Sequence, residues 1–192
     1  MKKILNIALW MICTLTLFAC SDDDDEIVID QVWKAENEEF INNLRKDGKY
    51  KHIIAPSQQD TIFYEVLEEG TGEQPLATAT VEVFYKGSLI NEKIFSSTRG
   101  FDTAEEDDDV SENWVLLSYS ATYPTQYSGM VEGCAVALQN MKVGARWRIY
   151  VPWSLGYGAA GSSVYKVAIP GCSTLIYEVK LLNIVTQTSK AK

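Results

Sequence analysis

The strongest constraint on the fold lies between residues 129 and 184, where one helical pattern is followed by two strand patterns. Apolar side chains recur at helical spacing at Val131, Cys134, Leu138 and Met141. Apolar and polar side chains then alternate over 146–151 and again over 173–182, which is typical of strands with one buried face. One short helix followed by two long strands predicts an α+β fold, a twisted antiparallel β-sheet wrapped over a single helix.

The first 19 residues have the pattern of a signal peptide, which predicts export. Lys2 and Lys3 precede a continuous apolar run that is short for a membrane-spanning helix. The sequence Leu-Phe-Ala-Cys over 17–20 resembles a bacterial lipobox. We therefore expect Cys20 to be lipidated and to anchor the chain to the outer membrane, on its periplasmic or surface face. A plain signal peptide cut near Ala19 is the alternative.

An acidic segment follows this cysteine. Ser21–Glu26 holds four aspartates and one glutamate and has no apolar residue. This composition predicts a solvated, self-repelling tether over residues 20–30. A calcium site is the alternative, but the alternating ligands and the mid-loop glycine of an EF-hand are missing. The segment also resembles the acidic export signal of some surface-displayed lipoproteins.

An N-terminal amphipathic helix is predicted over Gln31–Lys46, with Asp30 as its N-cap and Gly48 beyond its end. Its less polar face consists of Trp33, Asn37, Phe40, Ile41 and Leu44. We expect this face to pack on the same chain, and pairing with a second copy as a homodimer is the alternative. The residues from the helix to residue 60 are predicted to be a linker.

Charge and residue types argue against several kinds of partner. A formal net charge of −9 leaves no basic stripe for nucleic acid. His52 is the only histidine and has no cysteine or carboxylate at ligand spacing, so we expect no metal site and no catalytic triad. Gly156, Gly158 and Gly161 fit a dinucleotide-binding loop, but no helical pattern follows to hold a pyrophosphate. We therefore expect no nucleotide and no cofactor.

Several separate motifs, in order, resemble those of the FKBP-type peptidyl-prolyl cis-trans isomerases. The family's helix Val-Ile-x-Gly-Trp-x-x-x-Leu-x-x-Met-x-x-Gly corresponds to 130–144, and its Tyr-x-Gly to 85–87. Its Tyr-Gly loop corresponds to 157–158, and its Ile-Pro-x-x-Ser-Thr-Leu-Ile-Tyr-Glu-Val strand to 169–179. The resemblance implies an FKBP-like domain over 61–188.

The resemblance also implies the site residues. It assigns the catalytic positions to Tyr85, Asp102 and Tyr157. It lines the substrate cavity with Phe101, Met130, Val131, Cys134, Ile169 and Tyr177. Cys134 stands where the family has a tryptophan at the pocket floor, so either the cavity is deeper there or a neighbouring aromatic, Trp147 or Trp153, fills the space. A disulfide between Cys134 and Cys172 is left open, with unbridged thiols favoured.

The family's Phe-Asp-Ser-Ser element can be matched in two registers. Phe95-Ser96-Ser97 follows Tyr-x-Gly without a gap, but it places serine at the aspartate position. Phe101-Asp102-Thr103 restores the aspartate with a six-residue insertion, which a surface loop tolerates, and this register is preferred. The next strand is predicted over Trp114–Tyr119.

Prolyl isomerisation of exported chains is the function that the resemblance implies, with proline-containing polypeptides as partners. The reaction needs no acid, base or metal, only a cavity that desolvates the amide and favours its twisted form. One alternative is a catalytically weak FKBP-fold lipoprotein that binds peptides or acts as a chaperone. A second alternative is a surface lipoprotein whose insert over 96–128 binds an unrelated partner.

Overall fold

Nine helices and strands are found in the computed structural model, which describes residues 28–57, 60–98, 112–116 and 130–187. They are α1 (Gln31–Asp47), β1 (Lys51–Ile54), β2 (Thr61–Glu68), β3 (Thr80–Leu89), β4 (Ile94–Ser97), β5 (Glu112–Val115), α2 (Glu132–Leu138), β6 (Arg146–Val151) and β7 (Leu175–Thr186). Cys20, Phe101 and Asp102 lie outside the described residues. In the described part, no helix has the length and apolar character needed to cross a membrane.

The seven strands form one antiparallel sheet in the order β1-β2-β6-β7-β3-β4. The first half of β3 also pairs with β5, and its second half pairs with β4. Along β3 every second residue is buried, including Val81, Val83 and Tyr85. This period of two is the one expected for a strand with one face on the core. The predicted α+β class is confirmed.

Helix α2 lies on the inner face of the sheet, where all residues from Gly133 to Leu138 are buried. Its close approach to β6 requires glycine, because a Cβ atom at Gly133 would lie 2.4 Å from Cγ1 of Val151. The helix is shorter than its apolar spacing predicts. Met141 shares that spacing and is fully buried, but it lies in the turn after the helix.

Helix α1 covers the outer face of the same sheet. The Asp30 carboxylate caps its first turn by accepting hydrogen bonds from the backbone N–H groups of Val32 and Trp33. Ile41 and Leu44 pack in a second apolar cluster whose sheet residues, Phe63 and Tyr150, point away from α2. The predicted helix and its packing on the same chain are therefore confirmed.

The segment predicted as a linker contains an edge strand, so that prediction is wrong for Lys51–Ile54. These residues pair with β2 in an antiparallel register, from Lys51 opposite Tyr64 to Ile54 opposite Thr61. Three of the four side chains are exposed, so the strand lacks the alternation that would reveal it in the sequence. Strand β5 also begins earlier than predicted, at Glu112 instead of Trp114.

Asn37 fixes α1 to the sheet, and its truncation should destabilise the protein. The Asn37 side chain is fully buried, accepts from the Thr174 backbone N–H at 2.6 Å and donates to the Trp33 carbonyl at 2.7 Å. Asn37→Ala leaves a buried N–H without a partner, so we expect the free energy of unfolding to fall by about 1–3 kcal/mol. Urea titration followed by circular dichroism measures this.

The matched control is Asn43→Ala, on the exposed side of the same helix. Its effect should stay within about 0.5 kcal/mol. Equal effects of the two substitutions would contradict the role given to Asn37.

Candidate active site

A cleft of about 220 Å³ opens between β3, β4, β5, the start of β7 and the loop after β6. We call it the aromatic cleft, because six of its nine lining residues are aromatic. The nine lining residues are Tyr85, Phe95, Ser96, Glu112, Trp114, Met130, Tyr157, Tyr165 and Tyr177. Side chains of this kind form an apolar, desolvating surface with a few polar groups, which is typical of a small-ligand site.

Phe95 packs edge to face on two other rings of the cleft. The Phe95 ring meets Tyr177 at a centroid distance of 5.7 Å and 86°. It meets Tyr165 at 5.3 Å and 64°. The absence of a side chain at Gly87 makes room for Phe95, because a Cβ atom there would lie 2.5 Å from Cζ of the ring. The Tyr-x-Gly spacing of β3 therefore has a steric reason, since Tyr85 and Gly87 face the same side of the strand.

Tyrosine hydroxyls supply most of the polar groups of the cleft. The Tyr85 hydroxyl and Ser96 Oγ are 2.7 Å apart and share a hydrogen bond. The hydroxyls of Tyr157 and Tyr165 form another. Burial raises the pKa of Tyr85, Tyr157 and Tyr177 above the ordinary value of tyrosine. These phenols are therefore protonated at neutral pH and can donate hydrogen bonds.

The loop after β6 brings Tyr157 and Tyr165 to the cleft. It begins with a 3₁₀ turn at Trp153–Leu155 and closes through a bridge in which Ser162 and Ile169 exchange two backbone hydrogen bonds of 2.8 Å. Gly158 and Gly161 have φ angles of 65° and 70°, in the left-handed region. No helix follows within 156–170, all of which are described, so these glycines shape a loop and lack the helix of a dinucleotide site.

The structure brings four of the predicted site residues together in the cleft: Tyr85, Met130, Tyr157 and Tyr177. Three others, Val131, Cys134 and Ile169, are buried in the core and are not among the residues that line the cleft. Phe101 and Asp102 lie outside the described residues, so their roles stay predictions.

Phe95 occupies the wall of the cleft, which favours the ungapped register of the Phe-Asp-Ser-Ser element. It is buried against Tyr177, and the adjacent Ser96 bonds the Tyr85 hydroxyl. The preference for Phe101 over Phe95 at this wall is not supported by that geometry. In this register the Ser96 hydroxyl, at the aspartate position, supplies a polar group at the cleft.

Three residues of the cleft were missed from the sequence: Tyr165, Trp114 and Glu112. Trp114 could have been found, because it and Leu116 are both buried and show the period of a strand. Tyr165 lies in a loop without regular structure, so no periodic signal marks it. Glu112 was missed because β5 begins two residues before the predicted strand, and this earlier start places Glu112 at the cleft.

Neither tryptophan named for the space at Cys134 is a lining residue of the cleft. Cys134 is fully buried, and burial raises the pKa of its thiol. Trp147 stacks on Tyr64 at 4.1 Å and Trp153 lies beside Lys34, and neither lines the cleft. The added rings of the cleft come from Trp114 and Tyr165. Cys134 and Cys172 are both free thiols.

Comparison with known proteins places the chain in a family. A model of the FKBP-type peptidyl-prolyl cis-trans isomerases matches residues 71–182, more than half of the sequence, and this range holds every residue of the aromatic cleft. The chain belongs to this family. The FKBP match thus agrees with the motifs at 85–87, 130–144, 157–158 and 169–179.

Among the described residues, no group of three His, Cys, Asp or Glu is arranged to hold a metal ion.

Relatives of this FKBP chain are found in bacteria. The FKBP-type 22 kDa peptidyl-prolyl cis-trans isomerase of Escherichia coli is 30% identical over 80% of the chain and 62% of its own length. FkpA of the same organism is 32% identical over 79% of the chain and 46% of its own length. The chain therefore spans about half to three fifths of these curated relatives.

Two solved structures resemble it as well. The peptidyl-prolyl cis-trans isomerase of Pseudomonas syringae superposes with a TM-score of 0.60 at 25% identity, covering 80% of this chain and 93% of that one. The crystal structure of E. coli FkpA superposes with a TM-score of 0.57 at 31% identity, covering 79% and 60%. The sheet therefore belongs to a shared FKBP architecture.

Proposed function

We propose that the chain is a peptidyl-prolyl cis-trans isomerase that acts on proline-containing polypeptides. The observation that carries this proposal is the aromatic cleft, in a chain of the FKBP family. Rotation about an X-Pro bond has a barrier of ~20 kcal/mol, set by amide resonance. The cleft offers groups that lower this barrier without a covalent step.

The walls of the cleft would hold the proline ring and exclude water. The rings of Phe95, Trp114 and Tyr177 present apolar surface around a space of about 220 Å³. Water hydrogen-bonds best to the planar amide, whose carbonyl carries more negative charge, so its removal favours the twisted form. In this arrangement the shape of the cleft and the removal of water would lower the barrier to rotation.

Phenol hydroxyls would orient the peptide at the rim. Tyr85 and Tyr157 each have a hydroxyl at the cleft, already held by Ser96 and by Tyr165. Fixed donors need no reorganisation when the amide twists, so they stabilise the twisted state more than water does. Asp102 remains proposed as a further polar group at this rim.

We also propose that the chain is exported and lipid-anchored to the outer membrane through Cys20, where it would assist the folding of exported proteins. The Lys-Lys start, the apolar run and the lipobox-like Leu-Phe-Ala-Cys support this placement. A homologous protein of Legionella longbeachae carries the name outer membrane protein MIP, which supports it further. Labelling with radioactive palmitate, lost in Cys20→Ser, tests the anchor.

The proposed activity is tested with short X-Pro peptides and a protease-free readout, such as NMR exchange spectroscopy. The full chain in detergent should accelerate cis-trans exchange above the detergent background. Exchange that stays at background would overturn the proposal.

Peptide binding without turnover is the second candidate function. It is favoured by Ser96, which stands where the family's aspartate is expected, and by Cys134 at the usual tryptophan position. Binding of X-Pro peptides, measured by calorimetry, together with background exchange rates would support this candidate.

A further inference from the structure

Among the described residues that line the aromatic cleft, one has an acidic side chain. Of the nine described residues that line the cleft, Glu112 alone has an acidic side chain, and the others are tyrosines, apolar residues and one serine. Glu112 comes from the first position of β5, opposite Val83 of β3, and its side chain is solvent-exposed. The Glu112 side chain thus stands at the opening of a cleft whose other described lining residues are not acidic or basic.

The Glu112 carboxylate is held in place by the cleft. The Trp114 indole N–H donates to Oε2 of Glu112 at 3.1 Å. The Tyr85 ring packs on the Trp114 ring in a tilted arrangement, at a centroid distance of 4.4 Å. The Glu112 charge also contributes to the raised pKa of the Tyr85 hydroxyl, after burial, which is the main cause. The carboxylate therefore lies beside the two rings that form this side of the cleft.

No lysine or arginine of the described residues forms an ion pair with Glu112. The guanidinium groups of Arg146 and Arg148 instead bind Glu178 on the outer face of the sheet. A cationic side chain of a bound peptide could meet both the carboxylate and the faces of Trp114 and Tyr85, which also attract cations. The net charge of −9 adds a general attraction for basic peptides.

We propose that Glu112 is a specificity-determining residue that makes the cleft prefer X-Pro bonds with a lysine or arginine directly beside the proline. This inference rests on the proposed isomerase function and adds its substrate class. An acidic neighbour of the proline is disfavoured by the same charge. Because the carboxylate is exposed, the preference is modest and weakens with salt.

The test uses the full chain in detergent and three peptides that differ only beside the proline, carrying lysine, leucine or glutamate. Each substitution is placed before the proline in one series and after it in a second. In the series where the side chain reaches Glu112, we expect kcat/KM for lysine to exceed that for glutamate by about two- to fivefold. In Glu112→Gln this ratio should fall towards one, and raised salt should lower it in the parent protein.

Glu39→Gln is the matched control, because it removes the same charge from an exposed position on α1, on the other side of the sheet. Its lysine-to-glutamate ratio should equal that of the parent. A ratio near one in the parent, or a ratio that Glu112→Gln leaves intact, would overturn the inference while leaving isomerase activity in place.

Absence of exchange for every peptide, including the leucine peptide, would instead overturn the proposed function. The same peptides would then be compared by calorimetric binding. Equal affinities for the lysine and glutamate peptides would overturn the role of Glu112 in that case too.

Discussion

Tyr85→Ala is expected to lower kcat/KM for X-Pro peptides by roughly thirtyfold or more, because truncating a central aromatic of a binding pocket removes about 2–4 kcal/mol. Tyr85 touches three parts of the cleft at once. Its ring packs on Trp114 at 4.4 Å, and its hydroxyl bonds Ser96 at 2.7 Å. Its ring is also 6.5 Å from that of Tyr177. NMR exchange spectroscopy on the full chain measures the loss.

Tyr85→Phe separates the ring from the hydroxyl. It keeps the packing on Trp114 and removes only the bond to Ser96, so we expect a loss of about two- to tenfold, the size of one hydrogen bond. Circular dichroism of both variants checks that the fold is kept. An unchanged kcat/KM in a folded Tyr85→Ala protein would mean that proline binds elsewhere.

Gly161→Ala is expected to lower the free energy of unfolding by about 2–5 kcal/mol, by combining two unfavourable effects. Gly161 has a φ of 70°, which an alanine adopts only with strain. An added Cβ atom would also lie 2.2 Å from the carbonyl oxygen of Ile169. The atom that would be contacted belongs to the backbone of the Ser162–Ile169 bridge, so a side-chain rotation cannot relieve the clash. Urea denaturation measures the change.

Gly158→Ala is its matched control. Gly158 has a similar φ of 65°, but an added Cβ atom would have no other heavy atom within 4 Å. We therefore expect about 1–2 kcal/mol, from backbone strain alone. The difference between the two alanine variants isolates the clash at Ile169. Equal effects would show that the bridge adjusts without strain, contrary to the expectation.

The parts of the fold that sequence reasoning predicted are those where packing imposes a period. Apolar and polar side chains alternate along β6 and β7, so the strands could be recognised from their own residues. The helix α1 could be recognised in the same way from its cap at Asp30 and its buried stripe. β1 could not, because an edge strand with three exposed side chains has no such period. Its pairing with β2 is a tertiary property that the four residues do not encode by themselves.

The candidate site was predicted where it coincides with short motifs. Tyr85, Met130, Tyr157 and Tyr177 were reached because motif spacing fixes their strand, helix or loop. The register after β3 could not be settled, because a motif match rewards the pair Phe101-Asp102 while the steric fit of Phe95 over Gly87 exists only in three dimensions. In the ungapped register the Ser96 hydroxyl bonds the Tyr85 hydroxyl, a contact that residue identity alone does not reveal.

The way in which α1 is attached has a consequence for the order of folding. Trp33 and Asn37 bond to Ser173 and Thr174, which lie 140 and 137 positions later in the chain. A helix made early must therefore wait for residues that leave the ribosome near the end of synthesis. Until then its apolar side has Phe63 but lacks Tyr150, the other buried sheet residue of its cluster. Contacts of large sequence separation also form slowly. We expect this protein to complete its folding after synthesis, with α1 among the last elements to dock.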